Sequence, residues 1–545
     1  MSIFMDCVSI PYTRVPHSSQ LLFDYLYQFE RVAAFYTGSP FDPANYTDLA
    51  GKLCGLSQDR RELVAILRRQ NETFGSSEVT FANIQHLSEP GTFAVVTGQQ
   101  VGLLSGPAFT LYKALTAVRL AQALSEQGLP SVPVFWLATE DHDLEEVEQT
   151  ATFDEEYGLV TLRDAGDRPA PRSPVGIVKL SSEINLALDR LEAVLPPGEP
   201  RDTLLGDLRT CYQPGATWAQ AFGRLMARLF GRWGVVLLDP LDDAVRRLSA
   251  PVYKQALARA TDLRSQLIER SQTLVRTGYH AQVSVSEDST LVFVTRAGNR
   301  LPLRQHDGEF FLDDIEKTSL AELTADPSSS HLNLSSNVLL RPVVQDFLLP
   351  TLAYVAGPSE LAYFAQAQAL YSAFGRPMPI VFPRAGFTLV DRRTERLLEK
   401  YKLGVEDVWQ GEEHLGHKIA AAGFAEGWSE RFAESEQEIS RLLERLRQDL
   451  ETLDPTLLDT LKNVEERMTH QIGRLRTKVS RAALERSGLL SRHQQLLLRF
   501  LLPEKDLQER QVSGVYFLGR AGYELLARFL SQIQTRSSDH QVLVY

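Results

Sequence analysis

Residues 92–143 read TFAVVTGQQVGLLSGPAFTLYKALTAVRLAQALSEQGLPSVPVFWLATEDHD, and this stretch decides the fold. TFAVVTGQQ at 92–100 is a short β-branched run, GPAFTLYKALTAVRLAQALSEQG at 106–128 is amphipathic at helical spacing, and SVPVFWLATEDHD at 131–143 is a second apolar run that ends in acids. Strand, glycine turn, helix and strand make one βαβ unit, whose parallel strands are buried on both faces. The sequence therefore predicts an α/β fold with a parallel-sheet core.

The flanking segments extend this core in both directions. Helical spacing runs from about residue 19 to 85, and WGVVLLDP at 233–240 and MPIVFPR at 378–384 are further candidates for buried strands. AQVSVSEDSTLVFVTRAGNRLPLRQHDGEFFLDD at 281–314 alternates and carries GN and DG turns, which predicts an inserted β-hairpin region. GVYFLGRAGYELLARFLSQI at 514–533 predicts one more amphipathic helix.

A helical arm is predicted near the C-terminus. Apolar residues follow the four-and-three rhythm of a coiled coil at Ile439, Leu443, Leu446, Leu450 and Leu453. Asp454 and Pro455 end that helix, and the rhythm resumes at Leu461, Val464, Met468, Ile472, Leu475 and Val479. Because a two-helix hairpin buries only one stripe per helix, we expect a homodimer through this arm, with packing of the arm on its own core as the alternative.

These patterns divide the chain into four expected parts. Residues 1–90 are an N-terminal helical segment packed on the core, and 91–400 are the parallel-sheet core with its insertions. Residues 401–507 are the coiled-coil arm, and 508–545 are a C-terminal helix that returns to the core.

Composition narrows the class of protein. The 545 residues are 43% hydrophobic and 23% charged, which is typical of a soluble globular protein, and the net charge of −12 disfavours binding to nucleic acid or anionic lipid. The first twenty residues show no basic region followed by an apolar core, and no apolar run reaches the roughly 18 residues that span a bilayer. Cys7, Cys54 and Cys211 lie far apart, which argues against a disulfide framework. We therefore expect a cytoplasmic protein.

The first candidate site is the glycine-rich passage from strand to helix at 96–113. Glycine lets backbone approach a ligand, and helix N-terminal amides favour an anion. The spacing matches neither GxGxxG nor GxxxxGK[ST], so a tight turn with packing glycines is the competing interpretation. The candidate ligand-binding residues here are Gly98, Gln99, Gln100, Gly102, Gly106, Pro107, Thr110 and Lys113.

The second candidate site is TEDHD at 139–143, directly after an apolar strand. Ligands gather beyond the carboxyl ends of parallel strands, so acids and a histidine there are candidates for catalysis. Glu140, Asp141 and Asp143 can hold an amine or a cation, and His142 can act as a general base. The alternative is an exposed acidic start of the next helix.

The third candidate site lies in NVLLRPVVQDFLLPTLAYVAGPSELAYFAQ at 337–366. Arg341, Gln345 and Asp346 stand at helical spacing among apolar residues, and an arginine here could clasp a substrate carboxylate. Pairing of Arg341 with Asp346 is an equally fair interpretation. AGPSELAYF repeats the scheme of strand end, turn and helix start, and contributes Gly357, Pro358, Glu360 and Tyr363.

Known cofactor motifs do not occur in the chain. The eleven histidines never show HExxH or a comparable spacing, and the cysteines form no CxxC pair, so we predict no metal site. No HxGH pair follows the first strand and no KMSKS-like loop is present. The cofactor stays unidentified at this stage, with ATP or another activating nucleotide as the candidate.

The compound motifs resemble the cysteine ligase family of bacillithiol biosynthesis. VTGQQVGLLSGPAFTLYKA, VPVFWLATEDHDLEEV, GYHAQV, LLRPVVQDFLLPTLAYVAGPSELAYFAQ and the coiled-coil arm occur in the family's order, from about residue 10 to the end. The resemblance implies a Rossmann-like core, a coiled-coil domain for dimerisation, and addition of cysteine to glucosaminyl-malate. One departure is Ser359, where we expect a glycine.

The resemblance suggests a mechanism. The acids of TEDHD would hold the glucosamine ammonium, and His142 or Asp143 would take its proton as the amine attacks an activated cysteine carboxylate. Lys113 and Arg341 would offset the malate carboxylates or the leaving group. Two alternatives stay open: a non-catalytic nucleotide- or metabolite-binding protein that recruits a partner, and a nucleotidyltransferase that acts on another small acid.

Overall fold

The computed structural model describes residues 7–56, 60–313, 315–323, 333–423 and 428–545. The strands within these residues are β1 (Cys7–Ile10), β2 (Phe93–Gln100), β3 (Ser131–Ala138), β4 (Gln149–Phe153), β5 (Leu159–Arg163), β6 (Val236–Leu238), β7 (Ser289–Arg296), β8 (Asn299–His306), β9 (Glu309–Leu312), β10 (Glu316–Thr318), β11 (Asn333–Ser336), β12 (Thr351–Ala356), β13 (Ile380–Pro383), β14 (Phe387–Val390) and β15 (His540–Val544).

The helices within the same residues are α1 (Gln20–Tyr27), α2 (Pro43–Cys54), α3 (Arg61–Phe74), α4 (Glu78–His86), α5 (Phe109–Glu126), α6 (Glu183–Val194), α7 (Glu199–Cys211), α8 (Trp218–Phe230), α9 (Asp243–Ala258), α10 (Ala260–Arg276), α11 (Leu320–Leu323), α12 (Arg341–Leu348), α13 (Pro358–Ala373), α14 (Arg392–Tyr401), α15 (Val405–Trp409), α16 (Glu412–Gly423), α17 (Trp428–Leu453), α18 (Leu458–Arg486), α19 (Gly488–Leu501), α20 (Gln508–Gln511), α21 (Gly514–Ala521) and α22 (Glu524–Gln532). Of these, none combines the length and the hydropathy needed to cross a membrane.

The centre of the fold is a parallel sheet in the order β13-β12-β2-β3-β6. Its strands are apolar and buried along almost their whole length, as expected when helices cover both faces. The predicted βαβ unit is present as β2, α5 and β3, and WGVVLLDP and MPIVFPR supply the edge strands β6 and β13. The prediction of a parallel α/β core is confirmed.

Helices from the start of the chain cover this sheet. α2 packs against β12, and α3 and α4 pack against β6, so the N-terminal layer reaches both halves of the sheet. The predicted helical layer is therefore present, formed by α1 to α4.

Strands β7 to β11 form a separate antiparallel sheet in the order β10-β9-β8-β7-β11. The two tight turns fall at Ala297–Gly298 and Asp307–Gly308, where all four residues have positive φ, as a type I′ turn requires. The predicted insertion is confirmed and is larger than a hairpin, because β10 and β11 add further strands. Residue 314, the last of the predicted region, lies outside the described residues.

The C-terminal segment returns to the core as two helices and a strand. Gly522 adopts a φ of +77°, which ends α21, so the single helix predicted for 514–533 is divided into α21 and α22. α22 packs against α5, and β15 lies between β1 and β14, antiparallel to the first and parallel to the second. Strand β1, from the first described residues, and strand β15 therefore lie side by side in one small sheet.

The predicted coiled-coil arm is the antiparallel pair α17 and α18. Asp454 caps the turn between them, because its side chain accepts a hydrogen bond from the amide of Thr456 at 2.9 Å. Leu443 and Leu461 are buried. The residues of the predicted stripe that are at least 40% exposed are Leu446, Leu453, Val464 and Leu475.

A buried ion pair ties the C-terminal segment to the core. Glu509 of α20 is 2% exposed and accepts hydrogen bonds from Nη2 of Arg384 at 2.6 Å and from the amide of Phe387 at 2.9 Å. Burial alone would raise the pKa of Glu509, but the charge of Arg384 and these hydrogen bonds hold it below its usual value. Gln508 bonds both the amide and the carbonyl of Leu389, so α20 completes the backbone hydrogen bonding of β14.

Glu509→Ala is expected to lower the free energy of unfolding by about 3–5 kcal/mol, because Arg384 then keeps a buried charge without this partner. Glu524→Ala is the control: it breaks the Arg232–Glu524 pair, in which Glu524 is 84% exposed, and should cost less than about 1 kcal/mol. Urea denaturation of the full chain measures both losses. Equal losses in the two variants would contradict the assignment.

Candidate active site

A cavity of about 600 Å³ lies at the carboxyl ends of the central strands. Its wall is built from residues that end or follow β2, β3, β12 and β13, which is where ligands gather in open parallel sheets. All three candidate sites from the sequence contribute to it. The predicted residues that line it are Gly98, Gln99, Gln100, Lys113, Glu140, Asp141, His142, Arg341, Gly357, Pro358, Glu360 and Tyr363.

The ammonium group of Lys113 connects two strand ends. Its side chain, which leaves α5 toward the cavity, is 1% exposed. It donates hydrogen bonds to the carbonyl of Gly98, to Oε1 of Gln99 at 3.3 Å and to Oε2 of Glu360 at 2.6 Å. A lone lysine on a helix is ordinarily solvated, so only the fold reveals that this one is a buried cation.

Glu360 stands at the start of α13 and is held by three donors. Besides Lys113, the amide of Gly357 and the hydroxyl of Tyr354 each donate to it at 2.7 Å. Burial alone would raise the pKa of Glu360, but Lys113 and the other donors hold it below its usual value. This carboxylate therefore anchors the buried cation while its side chain, 19% exposed, also lines the cavity.

Arg341 presents a guanidinium group to the same part of the cavity. Its Nη2 donates to the hydroxyls of Tyr363 at 2.7 Å and Tyr354 at 3.1 Å, and its Nη1 donates to Oε1 of Gln345 at 3.0 Å. Among the described residues, no carboxylate lies within ion-pair distance of Arg341, and the pairing with Asp346 that we considered is not formed. The phenols orient the guanidinium and leave its charge available to a ligand carboxylate.

Glu140 is a buried carboxyl group that faces the cavity. It is 8% exposed, and within the described chain no side chain or backbone group is hydrogen-bonded to its carboxyl oxygens. Burial raises the pKa of Glu140 to about 7. The positive charges of Arg246 and Arg300 oppose this increase, and the negative charge of Asp239 adds to it. A carboxyl group with a pKa near neutrality can accept and release a proton under physiological conditions.

Asp141 is held in an ionised state beside it. Its Oδ2 accepts from the side-chain amide of Gln100 at 2.9 Å, and its Oδ1 accepts from the backbone amide of His142 at 2.8 Å. Burial alone would raise the pKa of Asp141, but His142, Gln100 and the charge of Arg300 hold it below its usual value. The two neighbouring acids thus differ in character, since Glu140 exchanges a proton near neutral pH and Asp141 supplies a permanent negative charge.

His142 lies beneath the inserted antiparallel sheet. Nη1 of Arg300, from β8, is 3.1 Å from Nδ1 of His142. The guanidinium of Arg300 also stacks 3.9 Å from the ring centre of Phe293, from β7. The insertion therefore forms one wall of the cavity.

Of the three glycines at 98, 102 and 106, Gly98 is the one that lines the cavity. A Cβ there would lie 2.9 Å from the carbonyl oxygen of Trp136, so β2 and β3 approach too closely for any other residue. Gly102 and Gly106 pack on each other, since a Cβ on Gly102 would lie 2.9 Å from Cα of Gly106.

Some predicted site residues lie apart from the cavity wall. The amide of Ala108, at the helix start that we expected to face an anion, donates to the carbonyl of Val512 at 2.8 Å, because the C-terminal segment covers this turn. Asp143 is exposed beyond β3, and Asp346 is buried against Tyr371. The described residues that line the cavity do not include Gly102, Gly106, Pro107, Thr110, Asp143, Gln345 or Asp346.

Several lining residues were not singled out in the sequence. Arg384 follows β13 directly, so the strand-end rule applied to TEDHD would have found it in MPIVFPR. Arg300 had no such signal, because nothing in an alternating hairpin indicates which surface it will cover. The others are Phe109, Trp136, Ala138, Val283, Phe293, Ser336, Asn337, Val338, Tyr354 and Arg510. Ser359, the residue at the expected glycine position, also lines the cavity.

Within the described ranges, no group of three or more His, Cys, Asp or Glu side chains could hold a metal ion.

Two family models together match nearly the whole chain. The model described as "Bacillithiol biosynthesis BshC, N-terminal Rossmann-like domain" matches residues 4–385, and the one described as "Bacillithiol biosynthesis BshC, C-terminal coiled-coil domain" matches residues 387–545.

Full-length relatives carry the same family name. The chain is 37% identical over 543 residues to the "Putative cysteine ligase BshC" of Koribacter versatilis, with 99% of both chains covered. It is 36% identical over 540 residues to the protein of that name from Solibacter usitatus, with 99% of this chain and 100% of the relative covered. For the Salinibacter ruber protein of that name, the identity is 32% over 532 residues, with 96% of each chain covered.

Proposed function

This chain belongs to the BshC family of cysteine ligases in bacillithiol biosynthesis, and from that premise we propose that it joins the carboxyl group of cysteine to the glucosamine nitrogen of glucosaminyl-malate. Cysteine as a substrate follows from the family. The second substrate, the amide bond and the completion of bacillithiol in this step are the proposal.

The distribution of charge along the cavity is the observation that carries this proposal. In the sheet order β13-β12-β2-β3-β6, Arg384 follows β13, Arg341 contacts Tyr354 of β12, Lys113 joins Gly98 of β2 to Glu360 of α13, and Glu140 and Asp141 follow β3. Most of these charges are already paired: Lys113 with Glu360, Arg384 with Glu509 and Arg300 with Asp141. Among the described residues of the wall, the charged groups without an ion pair are Arg341 beside β12 and Glu140 after β3, so one free cation and one free acid face the cavity from different strand ends. Glucosaminyl-malate has the matching polarity, with two carboxylates at its malate end and an ammonium group on its sugar.

The amide bond requires an activated cysteine carboxyl group, because a free carboxylate is a poor electrophile. We assign the activation to a nucleoside triphosphate, which leaves a phosphoryl or nucleotidyl group on the carboxyl oxygen. The glucosamine ammonium first releases one proton to water, which gives the free amine. The lone pair of that nitrogen then forms the C–N bond, the activating group leaves with the carboxyl oxygen and its bonding electrons, and the nitrogen releases its second proton to a protein base.

Glu140 suits the role of proton acceptor. It faces the cavity, has no hydrogen bond to a described residue, and has a pKa of about 7, so a substantial fraction is ionised at neutral pH. Asp141, with its lowered pKa, suits the role of counter-ion to the glucosamine ammonium. Asp143, a candidate on sequence grounds, is exposed beyond the cavity wall, so we give it no role in the proposal.

Purified full-length protein supplied with cysteine, glucosaminyl-malate and ATP is expected to form bacillithiol, detected by mass spectrometry as a new thiol. Omission of each substrate in turn should abolish the product. Turnover of ATP without cysteine, or binding of glucosaminyl-malate with no product under any donor, would contradict the proposed function.

Glu140→Gln is expected to lower kcat by about 10²–10⁴-fold with little change in KM, because it removes the proton acceptor and keeps the shape. In the wild type, kcat should rise as the pH passes about 7, since the carboxylate forms there. Glu145→Gln, the same change at an exposed position of the same segment, is the control and should leave both constants unchanged.

Stability supplies a second readout for the same variant. Because the pKa of Glu140 is raised on folding from 4.5 to about 7, the folded state binds this proton more tightly, and the group opposes folding increasingly as the pH rises from 4.5 to about 7, above which its effect is constant. The Tm of Glu140→Gln relative to wild type should therefore be higher at about pH 8 than at about pH 5. A variant whose loss of activity came from unfolding would instead have a Tm well below that of the wild type at both pH values.

We further propose that the protein is a homodimer through α17 and α18. The exposed leucines and valine of the arm lie at coiled-coil spacing, and a second copy presents the same stripe.

Cytoplasmic action is also part of the proposal: Cys7, Cys54 and Cys211 are free thiols, as a reducing compartment would leave them.

Leu446→Asp combined with Leu475→Asp is expected to convert the dimer to a monomer, because both positions are exposed within one chain and would be buried in the interface. Leu186→Asp is the control, since Leu186 is 61% exposed on α6 and outside the arm. Size-exclusion chromatography with light scattering measures the mass. A wild type with the mass of one chain would contradict the dimer.

A further inference from the structure

We propose that Arg300 of the inserted sheet holds His142 as the neutral tautomer with its proton on Nε2, so that His142 donates a hydrogen bond to a substrate oxygen and does not accept the proton of the amine. This inference rests on the proposed function for the identity of the substrate, but its geometric part stands on the protein alone. Arg300 is then a positioning residue, because it acts by orienting the ring of His142, and His142 is the residue that contacts the substrate.

Arg300 is fixed in place by its other contacts. Its side chain is 8% exposed, its Nε donates to Oγ of Ser335 at 3.1 Å, and its Nη2 donates to the carbonyl of Ser336 at 2.8 Å. The guanidinium also stacks on Phe293. Nη1 is thereby aimed at Nδ1 of His142 by the fold of the insertion.

The chemistry of the guanidinium decides the tautomer. Arginine has N–H donors and no acceptor, and it stays protonated at all relevant pH values. At 3.1 Å, Nδ1 of His142 must therefore be the acceptor, which leaves the ring proton on Nε2.

The charged neighbours of His142 agree with this arrangement. Oδ1 of Asp141 lies 3.6 Å from the same Nδ1, which is beyond hydrogen-bond distance, and 3.7 Å from Nη1 of Arg300. Asp141 thus offsets the arginine charge, and it is also the acceptor that a proton on Nδ1 would face. The shorter contact of Nδ1, 3.1 Å to Nη1 of Arg300, is the observation on which the tautomer rests. Glu140, the preceding residue, is the remaining acid at this strand end.

Nε2 of His142 is the ring atom left for a ligand. His142 lines the cavity, and no described residue is hydrogen-bonded to Nε2. An N–H at this position can bind the oxygen of the activated cysteinyl group. As the nitrogen lone pair forms the C–N bond, the carbonyl electron pair moves to that oxygen, and a fixed donor stabilises the charge until the activating group leaves. The amine proton goes to Glu140.

The experiment compares two substitutions of His142: glutamine, which places a carboxamide where the ring was, and alanine, which leaves a methyl group. His142→Gln keeps a donor near the position of Nε2 and an acceptor toward Arg300, but cannot take up a proton; His142→Ala keeps neither. We expect kcat of His142→Gln within about tenfold of wild type, and kcat of His142→Ala lower by about 10²–10³-fold. A His142→Gln variant as inactive as His142→Ala would overturn the inference, because that result identifies the histidine as a base.

The ring itself can be observed in ¹⁵N-histidine-labelled full-length protein, with His142→Gln used to assign the signals. We expect an unprotonated Nδ1 and a protonated Nε2 at neutral pH, and loss of this fixed tautomer in Arg300→Met. Arg304→Met, the same change on the same strand, should leave the signals unchanged, because Arg304 contacts Ser286 and Asp288 instead. A protonated Nδ1 in the wild type would overturn the inference, and this readout stays decisive even where no bacillithiol is formed.

Discussion

The buried ammonium group of Lys113 is the constraint on which the cavity depends. It joins the carbonyl at Gly98, where β2 ends, to the carboxylate of Glu360, where α13 begins, and so fixes the distance between two neighbouring strand ends. A buried charge of this kind is tolerated only when partners surround it. Glu360 in turn receives Tyr354 and the amide of Gly357, and Tyr354 orients Arg341. Lys113, Glu360, Tyr354 and Arg341 thus form one connected network on this side of the cavity.

Strand order then gives the cavity its polarity. Since β3 lies beyond β2 on the side away from β12, the acids that follow β3 are separated from the lysine and arginine network by the width of β2. Two later parts of the chain complete the wall. The inserted sheet brings Arg300 over His142, and the C-terminal segment brings Glu509 to Arg384. A substrate that is anionic at one end and cationic at the other would be oriented before any chemistry occurs.

Local patterns predicted most of the architecture. The βαβ unit, the arm and the inserted strands follow from apolar periodicity and turn residues, which depend on neighbours in sequence. The division of the last helix at Gly522 was missed, because a glycine within an amphipathic pattern is compatible with a continuous helix until its φ is known. The site was predicted in part. Because ligands bind beyond the carboxyl ends of parallel strands, the sequence indicated Glu140, Asp141 and Glu360. The presence of Arg300 in the wall and the burial of Lys113 depend on packing between distant segments.

The sequence by itself determined that this is a parallel α/β protein with a coiled-coil arm, and its long compound motifs determined the family, because periodicity and motif order are properties of the chain alone. The tertiary structure decided which of the polar residues share a cavity. Gly106 and Asp346 were as plausible as Gly98 and Arg341 on spacing, but the C-terminal segment covers the turn near the first and Tyr371 engages the second. Burial and partner choice are set by segments beyond the reach of a local pattern, 25 residues apart for Asp346 and Tyr371 and about 400 for Ala108 and Val512.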